Sequence, residues 1–221
     1  MSIIQTIVGS GVSASAPIPA LFDAASSGSG ATGTTTWSHT ISGSDTALLV
    51  GIATVNTLTT GVTYNGVPMN LLGMYGQYAI FPTTNTRITL YGLIAPTTGA
   101  NNIIVTTADA EQATCASISY TGANQTAFGS WMSGNGTGGY GIIGITATTG
   151  DVGVGFAAAD VVISEDLADV PPEVHRVDLA DGGMYIWGEE RISTFWSAQV
   201  GWNFAAGSRH WAGGGVAIHP A

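Results

Sequence analysis

The chain contains no lysine. Its basic residues are Arg87, Arg176, Arg191 and Arg209, set against fourteen Asp and Glu, and the formal net charge is −10 over 221 residues. Binding nucleic acid through its phosphates needs clustered Lys and Arg, so that partner class is not expected. An anionic membrane surface is disfavoured on the same ground. Charged residues make up 8% of the chain, about a third of the ~25% usual in soluble domains. One cysteine, Cys115, leaves no intrachain disulfide. It sits in A-T-C-A-S-I-S-Y with no base nearby, which reads as a small core residue rather than a nucleophile. No apolar run is long enough for a membrane-spanning helix. The opening M-S-I-I-Q-T lacks a basic segment followed by an apolar one, so no signal peptide is expected. No amphipathic helical pattern of useful length and no fixed-period repeat is present.

What remains is strand and turn chemistry. Val62, Thr63 and Tyr64 are strand formers, and Asn65-Gly66 is a two-residue hairpin signal because both residues tolerate positive φ. Proline cannot donate to a ladder, so the return strand begins at Pro68 or lies on an edge. Trp37, His39 and Ile41 alternate with polar residues and share one face. Thr46–Val55 is a near-continuous apolar run, read as a central strand buried on both faces. Further strands are predicted over 87–94, 102–107, 114–120, 142–145, 151–159, 184–188, 191–197, 200–205 and 215–219. In 114–120, Cys115, Ser117 and Ser119 form a small face suited to close packing on a second sheet. Gly134–Gly141 reads as a loop.

Short strands with frequent turn signals predict an all-β fold, an antiparallel β-sandwich of jelly-roll type with an N-terminal arm. Residues 1–33 are assigned to the arm and a Gly/Ser-rich tether, with 24–36 as a flexible linker. Residues 34–221 are assigned to one sandwich domain. Ile3, Ile4, Ile7, Val8, Leu21 and Phe22 are the candidate oligomer or partner contacts.

Candidate chemistry is sparse. Residues 151–190 hold ten of the fourteen acidic residues but no calcium-loop spacing, and read as a solvated segment. Glu189 and Glu190 are adjacent, so on a regular strand they point to opposite faces and cannot both line one cleft. His39, His175, His210 and His219 show no zinc-ligand spacing. No G-x-S-x-G elbow is present. The glycine-rich stretch 134–141 carries no Lys and opens no helix, against a phosphate loop. Trp187, Trp196, Trp202 and Trp211 are the candidate ligand-binding residues, as a platform for stacking on sugar rings. No cofactor or metal is expected, and no catalytic residue is assigned.

The block from Trp37 to Gln125 carries a resemblance. W-S-H-T (37–40), L-L-V-G (48–51), V-T-Y-N-G-V-P-M (62–69), L-Y-G-L (90–93) with Pro96 and Gly99, and A-S-I-S-Y-T-G-A-N-Q (116–125) resemble a β-sandwich domain of tailed-phage virion proteins, especially actinobacterial ones. These are minor capsid, decoration or minor tail proteins. The resemblance covers about two-fifths of the chain, implies fold and setting, and carries over no catalytic residue. Its implication is a non-enzymatic structural protein of the virion, assembled in the host cytoplasm. Its partners would be major capsid or tail proteins and further copies of itself. A carbohydrate- or receptor-binding module is the alternative, with a glycan as partner.

Overall fold

The structure is a computed structural model and describes residues 18–78, 85–137, 140–159, 173–181, 184–194, 196–203 and 210–221. Ile3, Ile4, Ile7 and Val8 lie outside the described residues, as do Phe195 and the carboxylates Asp160, Glu165, Asp166 and Asp169.

Sixteen strands form four antiparallel sheets stacked face on face. The first layer holds β2 (Thr34–Ile41), β8 (Gly99–Thr107), β4 (Thr59–Tyr64) and β5 (Val67–Pro68), in that order. The second runs β1 (Leu21–Gly30), β9 (Ala113–Thr121), β3 (Ala47–Val55), β7 (Asn85–Ile94) and β6 (Asn70–Tyr78). The third runs β10 (Met132–Thr137), β16 (His210–Ile218), β12 (Val152–Ala159), β14 (Met184–Ile192) and β13 (Glu173–Asp181). The fourth pairs β11 (Tyr140–Thr146) with β15 (Ser197–Asn203). The antiparallel sandwich expected from the sequence is present, and the stacking repeats it: three apolar cores separate four layers.

Layer position explains the burial patterns. A sheet with one wet face alternates, and β2 and β11, in the outer layers, alternate exposed and buried. A sheet covered on both faces reads apolar throughout. β3, β9, β12 and β16 are buried at almost every position. In β3, Leu48, Val50 and Ile52 join the core with the first layer, while Ala47, Leu49 and Ala53 join the core with the third. Gly51 faces the third layer, where an added Cβ would lie 2.5 Å from the Phe156 ring. The Asn65-Gly66 turn has φ of 50° and 76°, the left-handed geometry its sequence predicts. β5 lies on the edge of the first layer, as its proline requires.

Four readings need correction. The expected linker over 24–36 is strand. Leu21–Gly30 pairs along its length with β9, and its small residues make room for a neighbour: a Cβ on Gly28 would sit 2.9 Å from Trp37. Small polar composition here marks close sheet contact, not slack. Gly134–Gly141 is likewise largely strand, in β10 and β11. Cβ atoms on Gly136 and Gly141 would each meet the Trp211 indole at 2.9 Å, so those glycines seat Trp211. Glu173–Asp181, read as part of a solvated acidic segment, is the edge strand β13, with a bulge between His175 and Val177. Residues 191–197 are not one strand, because β14 ends at Ile192 and β15 begins at Ser197.

Gly51→Val should destabilise by about 1–3 kcal/mol, the usual cost of forcing volume into a packed core. Urea unfolding measures it. A loss under 0.5 kcal/mol, on the order of a neutral surface change, would mean that the second and third layers are not in contact there.

Candidate functional sites

The four tryptophans do not form a platform. Trp187, Trp202 and Trp211 are buried in the core between the third and fourth layers, and Trp187 stacks on Tyr185 with ring centroids 5.5 Å apart. Trp196 alone is open, 87% exposed in the turn before β15. The sequence misplaces the other three because a fourth layer covers the face of the third that a simple sandwich would leave wet.

Glu189 and Glu190 are both buried and point to opposite faces of β14. Glu190 lies in the core between the second and third layers. It accepts a hydrogen bond from the Tyr120 hydroxyl at 2.5 Å and pairs with the Arg176 guanidinium. Arg176 also lies over the Phe22 ring, 4.0 Å from its centroid, and Phe22 meets Tyr120 edge to face. Burial first, and Glu190 second, hold the Tyr120 hydroxyl well above its ordinary pKa, so it stays a donor. β1, β9, β13 and β14 meet at this one polar knot. Of the two expected contact residues here, Phe22 is engaged within the chain, whereas Leu21 is exposed. Glu189, on the other face, lies 4.0 Å from His175.

A second buried cluster joins the first two layers at their β1 and β2 edges. His39 is 1% exposed. Its Nδ1 meets Ser26 Oγ at 2.7 Å and Ser117 Oγ at 3.0 Å, and its Nε2 meets Ser119 Oγ at 3.0 Å. Ser119 donates to Asp23 Oδ2 at 2.8 Å, and Ser42 donates to the same carboxylate. Burial pushes the His39 pKa down to about 4, against the opposing pull of Asp23. Burial also raises that of Asp23, but the hydrogen bonds from Ser42 and Ser119 and the charge of His39 outweigh it, leaving a net fall. Serine, histidine and aspartate are the residue types of a hydrolase triad. Here the carboxylate touches a serine rather than the imidazole, and the imidazole is sealed from solvent, so the cluster fastens the two edges instead of doing chemistry. Cys115 is buried in the same core, where burial pushes its thiol up and keeps it protonated.

No sequence pattern announces the third cluster, Asp151 with His219, which lie 68 positions apart. Asp151 is buried and accepts from His219 Nδ1 at 2.9 Å through Oδ1. Its Oδ2 accepts from the Thr148 amide at 2.6 Å and hydroxyl at 3.0 Å. The pair lines a cleft of about 300 Å³ with Phe128, Ser130 and Thr146. An imidazole oriented by a carboxylate is half of a general base. Three amides around it are already committed: Gly129 N donates to Ala217 O, Ala147 N to Trp196 O and Thr148 N to Asp151. No oxyanion site is left among them. The pair ties the chain end to the β11–β12 turn.

The outer faces are the last candidates. β2, β4, β5 and β8 of the first layer contain no Asp, Glu, Lys or Arg, and neither do β11 and β15 of the fourth. The first layer shows solvent Thr34, Thr36, Ser38, Thr40 and Asn102. The fourth shows Tyr140, Ile142, Thr146 and Gln199. A cleft of about 360 Å³ opens beside β4, lined by Val62, Pro68, Met69, Leu71 and Tyr91 among others.

These features define an all-β stack with polar fasteners inside and uncharged outer sheets. No family model matches the chain, and neither the curated proteins nor the solved structures contain a match to it.

Two outcomes test the buried clusters. Arg176→Ala leaves Glu190 buried without its cation and should cost about 3–5 kcal/mol. Adding Glu190→Gln to it should recover part of that loss, measured as a double-mutant cycle in urea; simple additivity would contradict the pairing. For His39, the folded-state pKa lies below the unfolded value of 6.5. Its contribution is therefore complete above pH 6.5 and is lost as pH falls towards 4. At about 1.4 kcal/mol per unit, that loss is about 3 kcal/mol. His39→Gln should flatten the stability profile between pH 7 and 4 by that amount, and an unchanged slope would contradict the neutral, buried imidazole.

Proposed function

We propose that the chain is a non-enzymatic structural subunit of a virion, of the capsid-decoration, minor capsid or minor tail kind. It stabilises the particle by adding buried interface between subunits. The observation that carries this reading is the uncharged character of both outer sheets. Surfaces suited to free solubility carry about 25–35% charged residues, and here whole sheet faces carry none. Such faces lose no ionic hydration when a neighbour covers them.

Two further features support the reading. The block that resembles tailed-phage virion domains, Trp37–Gln125, spans most of β2 through β9, the first layer and all of the second except β1. The His39 cluster is sealed in the core, and the Gly129, Ala147 and Thr148 amides beside Asp151 and His219 are already bonded. With Trp187, Trp202 and Trp211 buried, a glycan platform is reduced to Trp196, and nothing favours the carbohydrate-binding alternative.

Light scattering of the isolated chain at micromolar concentration should return a mass above that of one copy, and the chain should pellet with phage particles. A stable monomer that stays in the supernatant would contradict the proposal.

A further inference from the structure

Accepting the reading of the chain as an assembly subunit, we infer that the cleft beside β4 receives the leading segment Ile3–Val8 of a neighbouring copy as an added extended strand. β5 is two residues long and covers β4 only at Thr63 and Tyr64. The chain then leaves the first layer at Met69, whose amide donates to Val62 O, and enters β6 at the edge of the second. Among the described residues, no strand lies on the outer side of β4 over Thr59–Gly61. The cleft of about 360 Å³ runs from this edge, where β4 bulges between Thr59 and Gly61, across Thr60 and Thr63 to Ile104 and Thr106 of β8, so that its lining is part threonine and part apolar. Val62, Met69 and Tyr91 are buried beneath it, while Leu71, 56% exposed, and Pro68 stand at its rim. An open strand edge beside an apolar trough is the geometry of strand addition, in which backbone bonds give affinity and alternate side chains fill the trough.

The occupant follows from length, position and charge. Seventeen residues precede Ile18, which is 81% exposed. They hold Ile3, Ile4, Ile7 and Val8 and not one charged side chain. No charged residue lines the cleft either, so docking strips water from no ion. In an extended conformation Ile3 and Ile7 share one face and Ile4 and Val8 the other, so each face offers two branched aliphatic groups. The leader departs next to β1, at one edge of the second layer, and the cleft adjoins β6 at the opposite edge. A neighbour placed with its β1 edge towards this β6 edge brings its leader to the cleft without crossing its own sheet. Seventeen extended residues reach up to ~55 Å, well beyond the spacing of adjacent strands. The contact joins two different surfaces, so its repetition builds a ring or an open row.

The test uses full-length chains. Variants carrying cysteine at position 3, 4, 7 or 8 (Ile3→Cys, Ile4→Cys, Ile7→Cys, Val8→Cys) are each mixed with Leu71→Cys under oxidising conditions; Cys115 is buried and does not interfere. At least one pair should give a disulfide-linked dimer on a non-reducing gel. In parallel, Ile4→Asp with Ile7→Asp, or Leu71→Glu alone, should weaken self-association about tenfold or more. Leu71 is exposed, so its substitution leaves the fold intact. Multimers that form no such link and are indifferent to both sets of charges would overturn the inference while leaving the subunit reading standing. A linkage formed within one chain, when Ile4→Cys and Leu71→Cys are combined at high dilution, would overturn the choice of a neighbour. A full-length chain that is monomeric throughout would overturn both.

Discussion

Two sheets in this molecule have central strands with no wet face, and the rest of the structure answers to that constraint. A strand covered above and below must be apolar in both directions, or must close every polar group it carries. β3, β12 and β16 meet the demand largely with alanine, glycine, valine and isoleucine, whereas β9 carries small hydroxyl and thiol side chains beside Ala116 and Ile118. The small residues let neighbouring layers approach, as where Gly51 leaves room for Phe156 and Gly28 for Trp37. Buried threonine hydroxyls such as Thr89 and Thr114 stand in the stack without a partner, while the larger polar groups are fastened at a few points. Tyr120, Glu190 and Arg176 close on one another between the second and third layers, and His39 closes with Ser26, Ser117 and Ser119 between the first and second. Each fastener joins strands distant in sequence, so each sets how the layers lie on one another.

The same constraint shapes the surface. Charge is excluded from most of the strands, and within the sheets it is confined to β1, β7, β13 and β14. The outer sheets meet solvent with hydroxyls, amides and a few apolar groups instead. A chain of net charge −10 can bring copies together with least repulsion through faces that hold none of that charge. The uncharged faces and the open β4 edge are the two features on which the proposed subunit role rests.

Much of this architecture was legible in the residues. The near-continuous apolar run Thr46–Val55 read as a strand covered on both sides, with Gly51 set against the helix that periodicity alone also allowed, and Asn65-Gly66 marked a turn with Pro68 at a strand start or an edge. The alternation Cys115-Ser117-Ser119 against Ala116-Ile118-Tyr120 showed two packed faces, one now seen against His39 and the other in the core with the third layer. Other parts were not legible, for a common reason. A-A-S-S-G-S-G has the composition of a linker, and its pairing with β9 under the close Trp37 ring makes it a strand. Glu173–Asp181 is an edge strand whose Asp178 and Asp181 face water, so its composition matches that of a loop. Trp187, Trp202 and Trp211 looked free because nothing local announces a fourth layer. Asp151 and His219 meet across 68 positions, a separation that no local pattern encodes. Local composition reports what a strand is made of, but not what lies over it.

Side-chain footprinting by hydroxyl radicals is the most direct test of whether these faces are covered in use. Tyr140 and Ile142 on the fourth layer and Leu71 at the β4 cleft are exposed in the single chain and should be oxidised readily at high dilution. In the assembled particle the account predicts strong protection of at least one of these two surfaces. Equal oxidation of all three residues in the dilute and assembled states would contradict it.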